Sequence, residues 1–156
     1  ELHLRERPYL FGARPAFGDF GLWGQLYQAY ADPSCGAHLK TKAPAVVAWL
    51  ERMLEPRAEG EFEDLDSLVP TLEPILAREV GPRFLAWDAA NHRAWKAARA
   101  QTELEMDGRL YYQKTFKYPA ETLSILRKKF KDVQDDPKLI ELLEGTGCLS
   151  HLAGLD

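Results

Sequence analysis

Cys35-Gly36-Ala37-His38 and Cys148-Leu149-Ser150-His151 are two Cys-x-x-His units that use both cysteines of the chain. Thiolate and imidazole are zinc ligands, and four of them suffice for a tetrahedral site. The interval between the units is far longer than in a zinc finger, and a domain of this size folds without a metal. The expectation is therefore no metal, with zinc at Cys35, His38, Cys148 and His151 as the alternative. Cys35 and His38 also have the composition of a thiolate–imidazole pair, in which a neighbouring cation lowers the thiol pKa. A partly buried, inert cysteine is the competing reading.

A second constellation is Trp87, Asp88, Asn91, His92 and Trp95. Asp88 and His92 stand at i and i+4, the spacing at which a carboxylate can orient an imidazole. Phe84, Trp87, Asn91 and Trp95 fall along one helical stripe. An apolar wall carrying a few polar groups suits a small apolar electrophile, which makes Trp87, Asn91, His92 and Trp95 the candidate substrate-binding residues. A surface ion pair beside packed aromatics is the plainer alternative. Lys114, Lys117, Arg127, Lys128, Lys129 and Lys131, interleaved with Tyr111, Tyr112 and Tyr118, could grip single-stranded nucleic acid through phosphates and stacking. The formal net charge of −4 offers no general attraction to polyanions, so a solvated basic face with core tyrosines and no nucleic-acid partner is expected. The sequence has no phosphate loop, dinucleotide-type glycine pattern, serine nucleophile elbow or zinc-protease histidine pair, and no catalytic residue is assigned.

The elements that must position these groups read as helices. With 156 residues, 46% of them hydrophobic, the chain suits a single globular domain over 1–156. No apolar run reaches the length of a membrane span, and two distant cysteines suit a reducing cytoplasm. The start at Glu1, with Leu2-His3-Leu4 reading as the last turn of a helix, leads us to expect a chain that begins inside a larger protein.

Pro8 to Phe20 form a turn that feeds an apolar helix. In a capping box a Ser or Thr oxygen and an acid three residues later each accept from an orphan backbone N–H. Asp19 can serve as the acid, but the cap position is Ala16, a loss worth about 0.5–2 kcal/mol of helix stability. Pro15 and Phe20 fit the hydrophobic staple beside that cap. Beyond it, Phe20, Leu22, Trp23, Leu26, Tyr27 and Tyr30 predict a helix apolar all round and therefore buried. Gly18, Gly21 and Gly24 suggest a closely passing backbone, with a ligand on the glycine strip as the alternative. A loop is expected after Asp32-Pro33, and then an amphipathic helix from Pro44 closed by Pro56.

The acidic run at 55–66 reads as a solvated loop. Helices are then expected over about 71–80, with Thr71 as cap and Gly81-Pro82 as stop, and over about 82–100. Asp107-Gly108 between β-prone runs predicts a hairpin near residues 103–112, stable only if it packs on helices. A helix over about 119–133 should bury Leu123, Leu126, Phe130 and Val133. Asp136-Pro137 should cap the last helix, ended by Gly145.

The run Pro8-Tyr9-Leu10-Phe11-Gly12-Ala13-Arg14-Pro15-Ala16-Phe17-Gly18-Asp19 resembles the start of the central helix in the C-terminal domain of glutathione transferases. Asp32-Pro33 and Pro44-Ala45-Val46-Val47-Ala48-Trp49 continue the likeness, so that residues 1–56 match best and 57–156 form a helical extension with the hairpin. Phe116-Lys117-Tyr118 leading to Leu123, Leu126 and Arg127 resembles a bacterial glutathione-transferase-like subgroup with an enlarged C-terminal region, from which Pro119 and Glu121 depart. The resemblance implies an all-α C-terminal bundle with one small hairpin. It implies an upstream thioredoxin-like domain that holds the co-substrate glutathione and the activating residue, and an apolar electrophile pocket walled by helices. Asp19 carries over as a structural capping residue. No cofactor in this chain, a possible homo-oligomer and inactivity of the chain alone complete the expectation. A non-catalytic assembly domain of the same fold is the alternative.

Overall fold

The computed structural model describes residues 1–155. The chain is helical with one two-stranded antiparallel sheet among the described residues. It forms two compact units, Glu1–Thr71 and Leu72–Asp156.

The first unit contains α1 (Leu2–Arg5), α2 (Phe17–Ala31), α3 (Pro33–Lys42), α4 (Pro44–Arg52) and the start of α5 (Leu65–Ile75). Tyr9, Trp49, Leu50 and Met53 are its buried centre, and Leu4, Trp23, Leu26, Tyr27, Tyr30 and Val46 pack on them. The stretch expected as a loop after Asp32-Pro33 is α3. Asp32 accepts from the N–H groups of Ser34 and Cys35, and Pro33 takes the first helical position. Both are helix-start signals, because Pro lacks an N–H where none is needed.

The expectation that α2 is buried all round is corrected. Only Asp19 is buried on it, and Phe17 is 89% exposed, Phe20 50% and Leu22 40%. Trp23, Leu26, Tyr27 and Tyr30 are the apolar side chains of α2 that pack on the core, beside the buried Asp19. Gly21 and Gly24 face open space rather than a neighbouring backbone, and Gly18 faces the Phe11 ring. Of the staple pair, Pro15 is half-buried and Phe20 stands half in solvent.

Part of the acidic loop is tied down. Ala13 N–H bonds to the Glu61 carbonyl at 3.0 Å and Glu63 N–H to the Phe11 carbonyl at 2.9 Å. Gly12, with φ +125°, sits between these strands of chain where any Cβ would overlap the Glu63 nitrogen and Glu61 oxygen. Asp64, read as part of the loop, instead accepts from Ser67 N–H at 2.8 Å at the start of α5. The helix thus begins at Leu65, and Thr71 lies inside it rather than capping it.

Helical structure also continues through Gly81-Pro82, where a stop was expected. Leu76–Leu85 is a π-helical stretch, and Ala86 N–H donates to the Gly81 carbonyl five residues back. A proline ring collides with the carbonyl four residues earlier in an α-helix, and the wider π turn relieves that clash. In the second unit α6 (Ala86–Lys96) follows, then β1 (Gln101–Met106), β2 (Arg109–Lys114), α7 (Lys117–Lys131), α8 (Pro137–Gly145) and α9 (Leu149–Ala153). Leu85, Ala89, Leu123, Phe130, Leu143 and Cys148 form its core. Leu126 and Val133, expected inside, are 38% and 47% exposed, because α7 turns Leu123 and Phe130 inward instead. Asp136 caps α8 as expected. The hairpin is longer than expected, pairing Gln101 with Lys114 through Met106 with Arg109. Asp107 and Gly108 both have positive φ, the conformation a two-residue hairpin turn requires.

Candidate functional site

The Asp19 carboxylate is fully buried in the first unit. Its Oδ2 accepts from Ala16 N–H at 2.9 Å, the capping bond expected of it. Its Oδ1 accepts from Leu10 N–H and from the indole Nε1–H of Trp49, each at 2.9 Å. A charged acceptor serving three donors locks the turn, α2 and α4 together. The hydroxyl missing at Ala16 is replaced from the backbone, since Asp19 N–H donates to the Ala16 carbonyl at 3.0 Å.

A second buried polar cluster was not read from the sequence. His3 and Arg7 are 3% and 6% exposed. Arg7 Nε donates to the Glu63 carboxylate at 3.2 Å, and Nη1 donates to the His3 carbonyl and to Thr71 Oγ1, both at 2.9 Å. His3 Nε2 lies 2.8 Å from the Leu10 carbonyl, which can only accept, so Nε2 carries the proton. Nδ1 is then the acceptor toward Thr71 Oγ1 at 2.8 Å and Arg7 at 3.1 Å. Burial first, and then the Arg7 charge, hold the His3 pKa below its ordinary 6.5, against the Leu10 bond and Glu63, which raise it. The signal was the i, i+4 spacing of His3 and Arg7, but their partners lie some sixty residues away and no local pattern points to them.

In the second unit the four candidate substrate-binding residues are used unequally. Asn91 is fully buried; its Nδ2 donates to the Phe116 carbonyl and its Oδ1 accepts from Phe116 N–H, both at 2.8 Å. Oδ1 also takes the Thr102 hydroxyl at 3.3 Å. Asn91 thus fastens the base of the hairpin to α6 in the manner of a ladder partner. His92 meets Ser124 Oγ through Nε2 at 3.2 Å and Arg127 through Nδ1 at 3.4 Å. Trp95 is 43% exposed. The Trp87 indole N–H is buried with no partner among the described residues. Asp88, paired with His92 by its spacing, makes no hydrogen bond or ion pair among the described residues, and burial raises its pKa from 3.8 to about 6.

Among the described residues no three His, Cys, Asp or Glu side chains gather at ligand spacing. Cys148 is buried in the core of the second unit, which raises its thiol pKa. Cys35 is exposed rather than partly buried, and its backbone N–H donates to the Asp32 carboxylate at 2.8 Å. The expected core tyrosines are corrected too, since Tyr111, Tyr112 and Tyr118 are 40%, 51% and 77% exposed. No helix among the described residues is long and apolar enough to cross a membrane.

The Asp19-capped turn, α2 and the Pro44-initiated α4 all lie within residues 1–52, the segment that matches the family described as glutathione S-transferase, C-terminal domain. Residues 1–52 are similar to a glutathione S-transferase C-terminal domain. The matched segment is about a third of the chain, and within it Asp19 organises the turn and helices. No curated protein and no solved structure matches the chain.

Proposed function

We propose that this chain is the helical C-terminal part of a cytoplasmic glutathione S-transferase-like protein, in which it supports a thioredoxin-like, glutathione-binding domain and walls a pocket for a small apolar electrophile. The observation that carries the reading is the exposed apolar pair on α2 inside the family-matched segment, where Phe17 and Phe20, three residues apart, stand in solvent. Apolar side chains grouped on one helix face mark a surface that another domain covers. Glutathione is then a co-substrate held by that domain, and this chain supplies no catalytic residue.

Calorimetry with glutathione on this chain and on the full-length parent tests the reading. Heat of binding from the parent alone is the expected result, and binding by neither protein overturns the transferase role. The bare face also leads to self-association of the isolated chain, which a strictly monomeric sedimentation profile at high concentration would contradict. One observation favours a non-catalytic assembly domain of the same fold as the second reading: Asn91, a candidate wall residue, is committed to the hairpin base. Thiol conjugation by the parent decides between the two.

A further inference from the structure

The hairpin is anchored at both ends. At its base, Thr102 and Thr115 are buried; their hydroxyls meet each other, and Thr102 also meets Asn91. At its tip, Asp107 pairs with Arg83 of the π-helical stretch at 3.2 Å, and Arg83 also holds Glu79. Thr115 N–H bonds to the Ala100 carbonyl, so the hydrogen-bonded pairs recur at 102 with 113, 104 with 111 and 106 with 109. The backbone groups of Leu110, Tyr112 and Lys114 therefore point away from β1. These residues are exposed, and the main packing partner of β2 among the described residues is β1.

The charges on this edge select its occupant. Arg109 and Lys114 stand at the two ends of β2 and make no ion pair among the described residues. Two-fold antiparallel pairing of β2 with a second copy through these outward groups sets Lys114 opposite Leu110, and β2 itself carries no acid to neutralise Arg109 or Lys114. A polyphosphate laid on the ribbon face over Tyr112 would meet Glu103 and Glu105, the cross-strand partners of Tyr112 and Leu110. A strand added beyond β2 lies one interstrand spacing, about 4.8 Å, further from those acids.

We propose that the free edge of β2 is a strand-addition site for an extended peptide with an acidic residue at each end of a six-residue stretch and apolar or β-branched residues facing Leu110 and Tyr112. Main-chain bonds to Leu110, Tyr112 and Lys114 supply affinity, and Arg109 and Lys114 supply selectivity.

The test is fluorescence anisotropy of the whole chain with a labelled Asp-Thr-Val-Thr-Val-Glu peptide, its Lys-Thr-Val-Thr-Val-Lys counterpart and an oligothymidylate. The acid-ended peptide is expected to bind at least tenfold tighter than the lysine-ended one. Tyr112→Pro removes an outward N–H while leaving the β1 ladder intact, and should abolish binding. Arg109→Glu with Lys114→Glu should reverse the preference, a gain that an unfolded protein cannot produce. Equal binding of both peptides, undiminished binding by the proline variant, or tighter binding of the oligonucleotide overturns the proposal.

Discussion

Asp88 is 5% exposed and makes no hydrogen bond or ion pair among the described residues, so burial disfavours its charge with no counter-ion to offset it. With the folded pKa at about 6 against 3.8, the protonated carboxyl is the form that the fold favours. The sign follows from linkage: the stability given by the neutral form is fully present below pH 3.8 and is lost as pH rises through about 6. Roughly two pKa units at 1.36 kcal/mol each make the full cost about 3 kcal/mol, of which about 2 kcal/mol develops between about pH 4.5 and 7.5. Asp88→Asn keeps the shape and removes the titration. Urea unfolding of both proteins across that range should show the Asn variant gaining on the parent by about 2 kcal/mol as pH rises. Taking the difference between pH values cancels the fixed cost of burying an amide, and other titrating groups are common to both proteins. A stability difference that stays constant from about pH 4.5 to 7.5 would refute a carboxylate destabilised by burial.

Other consequences are as direct. Asp19→Ala strips the acceptor from the N–H groups of Leu10, Ala16 and Trp49, and should cost on the order of 3–5 kcal/mol in thermal or urea unfolding; a loss under about 1 kcal/mol would contradict its role as organiser of the first unit. His3 titrates in the opposite sense to Asp88, since its depressed folded pKa gives stability that is present above pH 6.5 and lost as pH falls through the lower folded value. His3→Gln should flatten that acid loss, read from hydrogen exchange of the first unit, and an unchanged profile would remove His3 from the account. At Gly81 a Cβ would overlap the Thr146 carbonyl oxygen, so Gly81→Ala should destabilise by about 1–3 kcal/mol, and a neutral effect in calorimetry would show that the α8–α9 connection yields freely.

Local chemistry made much of this protein legible from sequence. The Asp19 cap, the Pro44 start of α4, the Asp136 cap of α8 and the Asp-Gly hairpin turn each depend on residues within a few positions of one another, and each forms as expected. The family likeness of the opening segment was legible for the same reason, being carried by a short capped turn and its helix. Pro and Gly were over-read: Asp32-Pro33 starts a helix instead of a loop, and Gly81-Pro82 is absorbed into a π turn because packing against the Thr146 backbone outweighs the local preference to break.

Burial was decided by tertiary structure alone. An apolar periodicity states which side chains can be covered, but whether they are covered depends on distant chain, and Phe17, Phe20 and Tyr118 remain half or more exposed. The same long-range placement brings Thr71 and Glu63 to His3 and Arg7, and ties Asn91 to Phe116. Composition and spacing thus determined several of the elements, among them α4, α8 and the hairpin turn, and the family likeness of the opening segment. Only the packed chain, through desolvation and contacts across many residues, decided which polar groups became structural hubs, which charge was left costly at Asp88, and which strand edge was left open.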